Sequence, residues 1–336
     1  MGAAIADTGT GGPGSNQFPP ANSLVSGRSS SRIGDRIFKA VTMVFTLGLA
    51  LLVVLIVFEM ALSSKLSFAK FGWSFLTGST WDPVHEQFGA APFIYGTVVS
   101  SIIALIVAVP VSIGIAVFLV ELSPRSLSGP VSFMVQLIAA IPSVVFGLWG
   151  IFVLAPLLRD HLYPWVQTVF GFLPIFKGPI NGLGLLTAGL ILSVMIVPII
   201  TAVTTDVLRA VPGSQREASL AMGATRWEAT TVVLAAARSG ISGAIILGLG
   251  RAIGETMAVT MVIGNRPEIS AKLFGSSYTI AAAMANEFSE ATSDLYLNAL
   301  IELGLILFFI TFLINVLARL LVWSVTRGQG RGSVIG

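Results

Sequence analysis

The sequence predicts an all-α integral membrane protein with six transmembrane helices. Three observations carry that expectation. Apolar residues make up 54% of the 336 residues and charged residues only 10%, and the mean hydropathy is +0.89. A soluble core needs nothing of the kind. Six apolar runs each reach the ~20 helical residues that cross a hydrocarbon core about 30 Å thick. None shows the short alternating pattern of a closed barrel, which leaves helices as the spanning solution.

Residues 1–36 are rich in Gly, Ser, Pro and Asn without an apolar period and read as a disordered cytoplasmic tail. The first span, Ala40–Leu62, has no clear small-residue cleavage site before a polar mature region and is not expected to be a signal peptide. With its external loop it makes up a segment over 37–92. The other spans are expected at Phe93–Val120, Val131–Leu158, Leu183–Thr205, Ser239–Gly264 and Leu297–Leu317, within a core over 93–324. A second cytoplasmic tail follows over 325–336. Pro110, Pro142, Pro156 and Pro198 fall inside these runs and are expected to kink them.

Orientation follows from the basic residues. With both termini cytoplasmic, the inner segments hold twelve Lys and Arg, the outer loops hold six, and Arg251 lies within the fifth span. The outer loops over 63–92, 159–182 and 265–296 contain Trp73, Trp81, Tyr163, Trp165 and Tyr278, candidates for interfacial anchors. Glu59 and Glu302 lie near span ends, within reach of the membrane–water interface.

Several chemistries are excluded. The absence of cysteine removes disulfides and thiolate metal sites. The two histidines, His85 and His161, fall on different loops, so no metal centre is expected. No Gly-Lys dipeptide occurs, hence no Walker A loop and no ATP hydrolysis by this chain. No nucleophile–base set is visible, so an enzyme is not expected, nor is a cofactor. The net charge of +3 is too small to point to nucleic acid; the expected environment is the lipid bilayer.

The loop over 212–236 is built for structure. Ser214-x-x-Glu217 and Thr225-x-x-Glu228 are capping boxes, and Gly223 between them can take the positive φ that ends a helix. The pattern predicts a short helix, a turn at Gly223, and a helix running into span five. Leu220, Ala224 and Trp227 share a helical face and form an apolar knob for a partner. On the residues alone, a capped connector lying on the bilayer surface is equally consistent. The pattern also resembles the EAA loop of ATP-binding-cassette importer permeases. Glu217, Ala218, Ser219 and Gly223 match it, while Val233, Ala235 and Ala236 stand where that family has Ile, Leu and Pro. In that family the loop docks into a groove of the ATPase, a role the resemblance assigns to Glu217, Ala218, Gly223 and Trp227.

A narrower resemblance rests on "LGLGRAIGETMAVTMVIGN" (Leu247–Asn265), "ANEFSEA" (Ala285–Ala291) and "ELGLILFFITF" (Glu302–Phe312). These segments resemble the PstC permeases of phosphate-specific ATP-binding-cassette transporters, over roughly residues 37–324. The resemblance implies the type I importer permease fold and a heterodimer with a PstA-like permease. It also implies two PstB-like ATPases, a PstS-like phosphate-binding protein outside, and inward movement of phosphate driven by ATP.

Span five carries the central question. Arg251 lies 12 residues after Ser239, about 18 Å at the helical rise and near mid-bilayer. Placing Arg there costs at least about 2.5–3.5 kcal/mol. Glu255, four residues on, shares its face in a continuous helix and is expected to pair with it. One reading is a buried pair that locks helices together. The other is that Arg251 contacts the moving anion and Glu255 is its counter-ion. Gly250 and Gly254 form a G-x-x-x-G pair expected to pack against another helix, such as a partner permease's. An importer for another oxyanion, such as molybdate or sulfate, remains an alternative. So does a secondary anion transporter, although the internal repeat usual in that class is not evident.

Overall fold

A computed structural model describes residues 31–178 and 180–327. The expected N-terminal tail up to residue 30, and the C-terminal tail from residue 328, lie outside the described residues. The chain forms two compact units, one up to Phe58 and one from Glu59 onward.

The described residues are helical, with only an isolated bridge between Asp82 and Gln87 in extended pairing. The first unit is the start of α1 (Ser31–Ser63). The second unit continues through α2 (Lys65–Phe71) and α3 (Ser74–Thr77) to α4 (Ala91–Val117), which runs on as a π-helical turn, Phe118–Leu122. Next come α5 (Arg125–Ala139), α6 (Ser143–Trp149), α7 (Ala155–Leu157), α8 (Tyr163–Phe170), α9 (Leu185–Ala210) and α10 (Gly213–Ala221). The chain closes with α11 (Arg226–Gly254), α12 (Met257–Val262), α13 (Ile280–Glu287) and α14 (Asp294–Arg327). Six stretches are long and apolar enough to cross a membrane: Gly34–Ser63, Ala91–Leu122, Ser143–Phe170, Leu185–Ala210, Arg226–Gly254 and Asp294–Leu320.

The third and fifth of these depart from the expected boundaries. The run Val131–Leu158 is not one helix, because α5 stops at Ala139 and Pro142 stands before α6. Proline lacks the amide that a continuing helix needs and pushes the preceding residue away from helical angles. Pro142 therefore breaks the chain rather than kinking it, whereas Pro110 and Pro198 sit inside α4 and α9. Beyond Pro142 the helix continues to Phe170 through two π-helical turns, Gly150–Leu154 and Leu158–Leu162, on either side of Pro156. Arg159, His161, Tyr163 and Trp165 thus lie on a helix, not in an outer loop. Tyr163 is buried and hydrogen-bonded to Thr187, so it is a core residue rather than an anchor. Trp81 and Tyr278 are also held internally, Trp81 Nε1 donating to Glu287 at 2.7 Å and Tyr278 accepting from Asn286 at 3.0 Å. Trp73 and Trp165 are exposed.

Helix α9 is the axis of the bundle and packs against α4, α5, α11 and α12. Its residues Ile191, Leu192, Met195, Ile196 and Ile200 form the main core with Ala104 and Ala108 of α4 and Ala244 and Ala252 of α11. Lipid tails are as apolar as these side chains, so close packing rather than hydrophobic transfer holds such helices together. Small residues make it close. Gly240, Ala244, Gly248 and Ala252 recur every four residues along α11 and face α9. A Cβ at Gly248 would lie 2.7 Å from Ile200 Cδ1, and one at Gly240 would strike Val207.

Gly96 of α4 is tighter still. A Cβ there would collide with the backbone carbonyl of Tyr278, which cannot rotate away as a side chain would. Gly→Ala within a helix ordinarily stabilises by up to ~1 kcal/mol. Gly96→Ala is instead expected to destabilise by about 1–3 kcal/mol through overpacking, read as a lower unfolding temperature of the detergent-purified protein.

Glu302 of α14 also differs from expectation. It is buried at 3% exposure instead of reaching an interface, and its Oε2 has no hydrogen-bond partner among the described residues.

Candidate functional site: the α10 turn and the open face of α11

The turn over 212–236 forms largely as its sequence dictates. Helix α10 ends in a Schellman arrangement: the Gly223 N–H donates to Leu220 O at 3.0 Å, and the Ala224 N–H to Ser219 O at 3.1 Å. Gly223 has φ +87°, the left-handed conformation that glycine adopts without strain. The second capping box forms in full: the Glu228 N–H donates to Thr225 Oγ1 at 3.3 Å, and the Thr225 N–H to Glu228 Oε2 at 2.7 Å. The first box does not. Pro212 occupies the N-cap position of α10, which places Ser214 already inside the helix, out of register to cap it.

Glu217 and Ala218 are exposed on α10, while Leu220 and Trp227 converge on an open groove of about 500 Å³. Ala224 does not line that groove. Two contributions were not visible in the sequence. Met222, at the tip of the turn, is 88% exposed, more than any other large apolar side chain described. Arg216 pairs with Glu121, whose side chain is only 8% exposed in the π-helical turn after α4. That ion pair fastens α10 to the end of α4. Nothing in the local sequence marks it, because 95 residues separate the partners. Nearby, Arg209 at the end of α9 donates to the hydroxyls of Ser128 (3.2 Å) and Ser132 (3.3 Å) on α5.

The expected Arg251–Glu255 pair does not form. Helix α11 ends at Gly254, and Glu255 is extended, with φ −71° and ψ 125°. The i,i+4 geometry requires four continuous helical residues, and the break removes the last of them. Arg251 is therefore in the final turn of α11, not at the centre of one long span. Glu255 is buried at 9% exposure, and its Oε1 accepts the Ala258 N–H of α12 at 3.3 Å. Arg251 is exposed and has neither an ion pair nor a hydrogen bond among the described residues.

Gly250 and Gly254 meet nothing among the described residues: a Cβ at either would find open space. Gly248, which packs on α9, precedes Gly250 by two residues, about 200° around a helix with 3.6 residues per turn. Helix α11 thus has two smooth faces. One is filled by α9. The other, bearing Gly243, Leu247, Gly250 and Arg251, opens onto a cleft of about 670 Å³ that also takes in Asn315 and Arg319 of α14.

Residues 108–327 match the family described as binding-protein-dependent transport system inner membrane component. This chain belongs to that family. The binding-protein-dependent permeases it resembles include proteins named phosphate transport system permease protein PstC. The one from Mesorhizobium japonicum is 46% identical over 301 residues, 88% of this chain and 92% of that protein. The one from Pasteurella multocida is 45% identical over 309 residues, 90% of this chain and 96% of that protein. A PstC 2 from Mycobacterium tuberculosis is 39% identical over 307 residues, 89% of this chain and 94% of that protein. The chain is thus a multi-pass inner-membrane permease component, with an open charged face on α11 and an exposed helical turn at α10.

Proposed function

We propose that this chain is the permease subunit of an ATP-driven inorganic phosphate importer. Both termini and the α10 turn face the cytoplasm, and the core over 93–324 carries the translocation path. The observation that carries the reading is the guanidinium of Arg251, unpaired among the described residues, in an open cleft between α11 and α14. A guanidinium presents a planar fork of donors that matches a phosphate's oxygens. Phosphate carries between one and two charges near neutral pH, and an apolar path would exclude it. A PstA-like permease covers the open face, with Gly250 and Gly254 at the contact, so that the path runs between the two subunits. Glu255 belongs to the path side as a fixed negative charge four residues along the chain. It acts through the field of a low-dielectric site rather than through contact. Two PstB-like ATPases receive α10 through Glu217, Ala218, Gly223 and Trp227, and a PstS-like protein delivers phosphate from outside.

The test is uptake of radiolabelled phosphate by cells lacking this chain, with the gene restored, with and without ATP depletion. Restored, ATP-dependent uptake that excess molybdate or sulfate does not block is the expected result. Uptake driven by a proton or sodium gradient without the ATPase would overturn it. In the same assay Trp227→Ala is expected to lower uptake by about ten-fold, in line with truncating a large aromatic anchor at an interface. The folded permease should be recovered at normal yield.

A further inference from the structure

The cleft that holds Arg251 holds a second guanidinium. Asn315 and Arg319 lie four residues apart on α14, so they share a face, and both line the cleft with Gly243, Gly250 and Arg251 of α11. Arg319 is exposed and, like Arg251, has no ion pair or hydrogen bond among the described residues. Asn315 spends one side-chain N–H on Thr311 O at 2.8 Å, which leaves its second N–H free. Among the described residues no carboxylate lines the cleft. At Gly243 and Gly250 an added Cβ would meet nothing, so the floor between the two arginines is open.

Two cations in one cleft with largely apolar walls repel each other unless an anion neutralises them, and the low dielectric of such walls strengthens both effects. The donors present are two guanidinium forks and one amide N–H, a set suited to a tetrahedral oxyanion. We propose that Arg319 with Asn315 forms a second oxyanion station in the Arg251 cleft, so that a phosphate group is held successively by two guanidiniums. This rests on the phosphate-importer reading above and adds a site to it. A second station also answers a requirement of conduction: a single tight site would retain its ion, whereas two sites share the binding and let it leave. The phosphate group has two conceivable sources, the transported ion or the headgroup of an anionic lipid, since Arg319 stands near the end of the last span.

The experiment uses the assembled transporter in proteoliposomes, made once from phosphatidylcholine alone and once enriched in phosphatidylglycerol. Phosphate uptake is measured against concentration for Arg319→Gln, Arg319→Lys and Asn315→Ala. Loss of one charge-assisted contact is expected to raise the KM of Arg319→Gln about ten-fold in both lipids. Arg319→Lys should fall between, because it keeps the charge without the fork, and Asn315→Ala should show a smaller rise, giving a readout even if one variant assembles poorly. An effect confined to phosphatidylglycerol vesicles would keep the oxyanion site and assign it to the lipid headgroup. Unchanged KM for all three variants in both lipids, with Arg251→Gln inactive in parallel, would overturn the second station alone; Arg319 would then be an ordinary interfacial cation. No phosphate uptake by the unaltered transporter would instead overturn the importer reading.

Discussion

Arg251→Gln is expected to reduce phosphate uptake by roughly 100-fold, the upper range for a hydrogen-bonded contact to a charged group. The side chain has no partner among the described residues to lose. The variant should therefore fold and assemble with the proposed ATPase subunits, whose ATP hydrolysis should persist, and only transport should suffer. Arg251→Lys should recover part of the rate, since it keeps the charge but not the two-pronged geometry. Glu255→Gln separates two roles of that residue. The amide oxygen can still accept the Ala258 N–H that caps α12, so the cap survives while the charge goes. A fall in uptake of about ten-fold is expected if the fixed negative charge matters to the path. Uptake indistinguishable from the unaltered transporter would leave Glu255 only the cap. If Arg251→Gln transports normally in an intact complex, the cleft is not on the path.

Arg216→Glu is the second large effect. It places an acidic side chain against Glu121, which is nearly buried, in place of its partner. Breaking the pair is expected to destabilise the α10–α4 junction by about 2–3 kcal/mol. This is below the range for a fully buried pair, because a third of the Arg216 side chain meets solvent. The functional consequence should exceed the loss of stability. The ion pair ties α10 to the end of α4, so under the proposed docking of an ATPase on α10, releasing it would let α10 move without moving α4. ATP hydrolysis should persist while uptake falls by at least about ten-fold, a magnitude consistent with that free energy. The reciprocal double variant, Glu121→Arg with Arg216→Glu, restores opposite charges and should recover uptake. A double variant no better than either single change would show that the junction needs these side chains for their shape instead.

The legibility of the α10 turn and that of span five differ for a physical reason. Thr225, Glu228 and Gly223 act on backbone groups within five residues, so their pattern is complete in the local sequence, and the structure forms it as read. The Ser214 box failed because Pro212 took the N-cap position and set the helix start two positions too early, a competition between two local signals. Span five failed differently. The apolar runs on either side of Gly254-Glu255-Thr256 are long enough to read as one span, and the i,i+4 spacing of Arg251 and Glu255 reads as a helical pair, so the break there is masked. Its consequence is large, because every pairing inferred from helical spacing across that point is lost.

The sequence by itself determined the class of this protein and its six crossings. Apolar length and the obligation to satisfy backbone hydrogen bonds in lipid leave few alternatives. It also determined the helix–glycine–helix turn at α10 and placed an arginine in span five. Only the tertiary structure decided which glycines pack. Gly248 meets α9 while Gly250 stands open, because a two-residue offset turns it to the opposite side of α11, and Gly254 stands open at the end of the helix. It alone brought Arg216 to Glu121 and Arg319 to the cleft of Arg251. Those meetings depend on how distant helices are docked, and side-chain spacing along one segment carries no record of its neighbour.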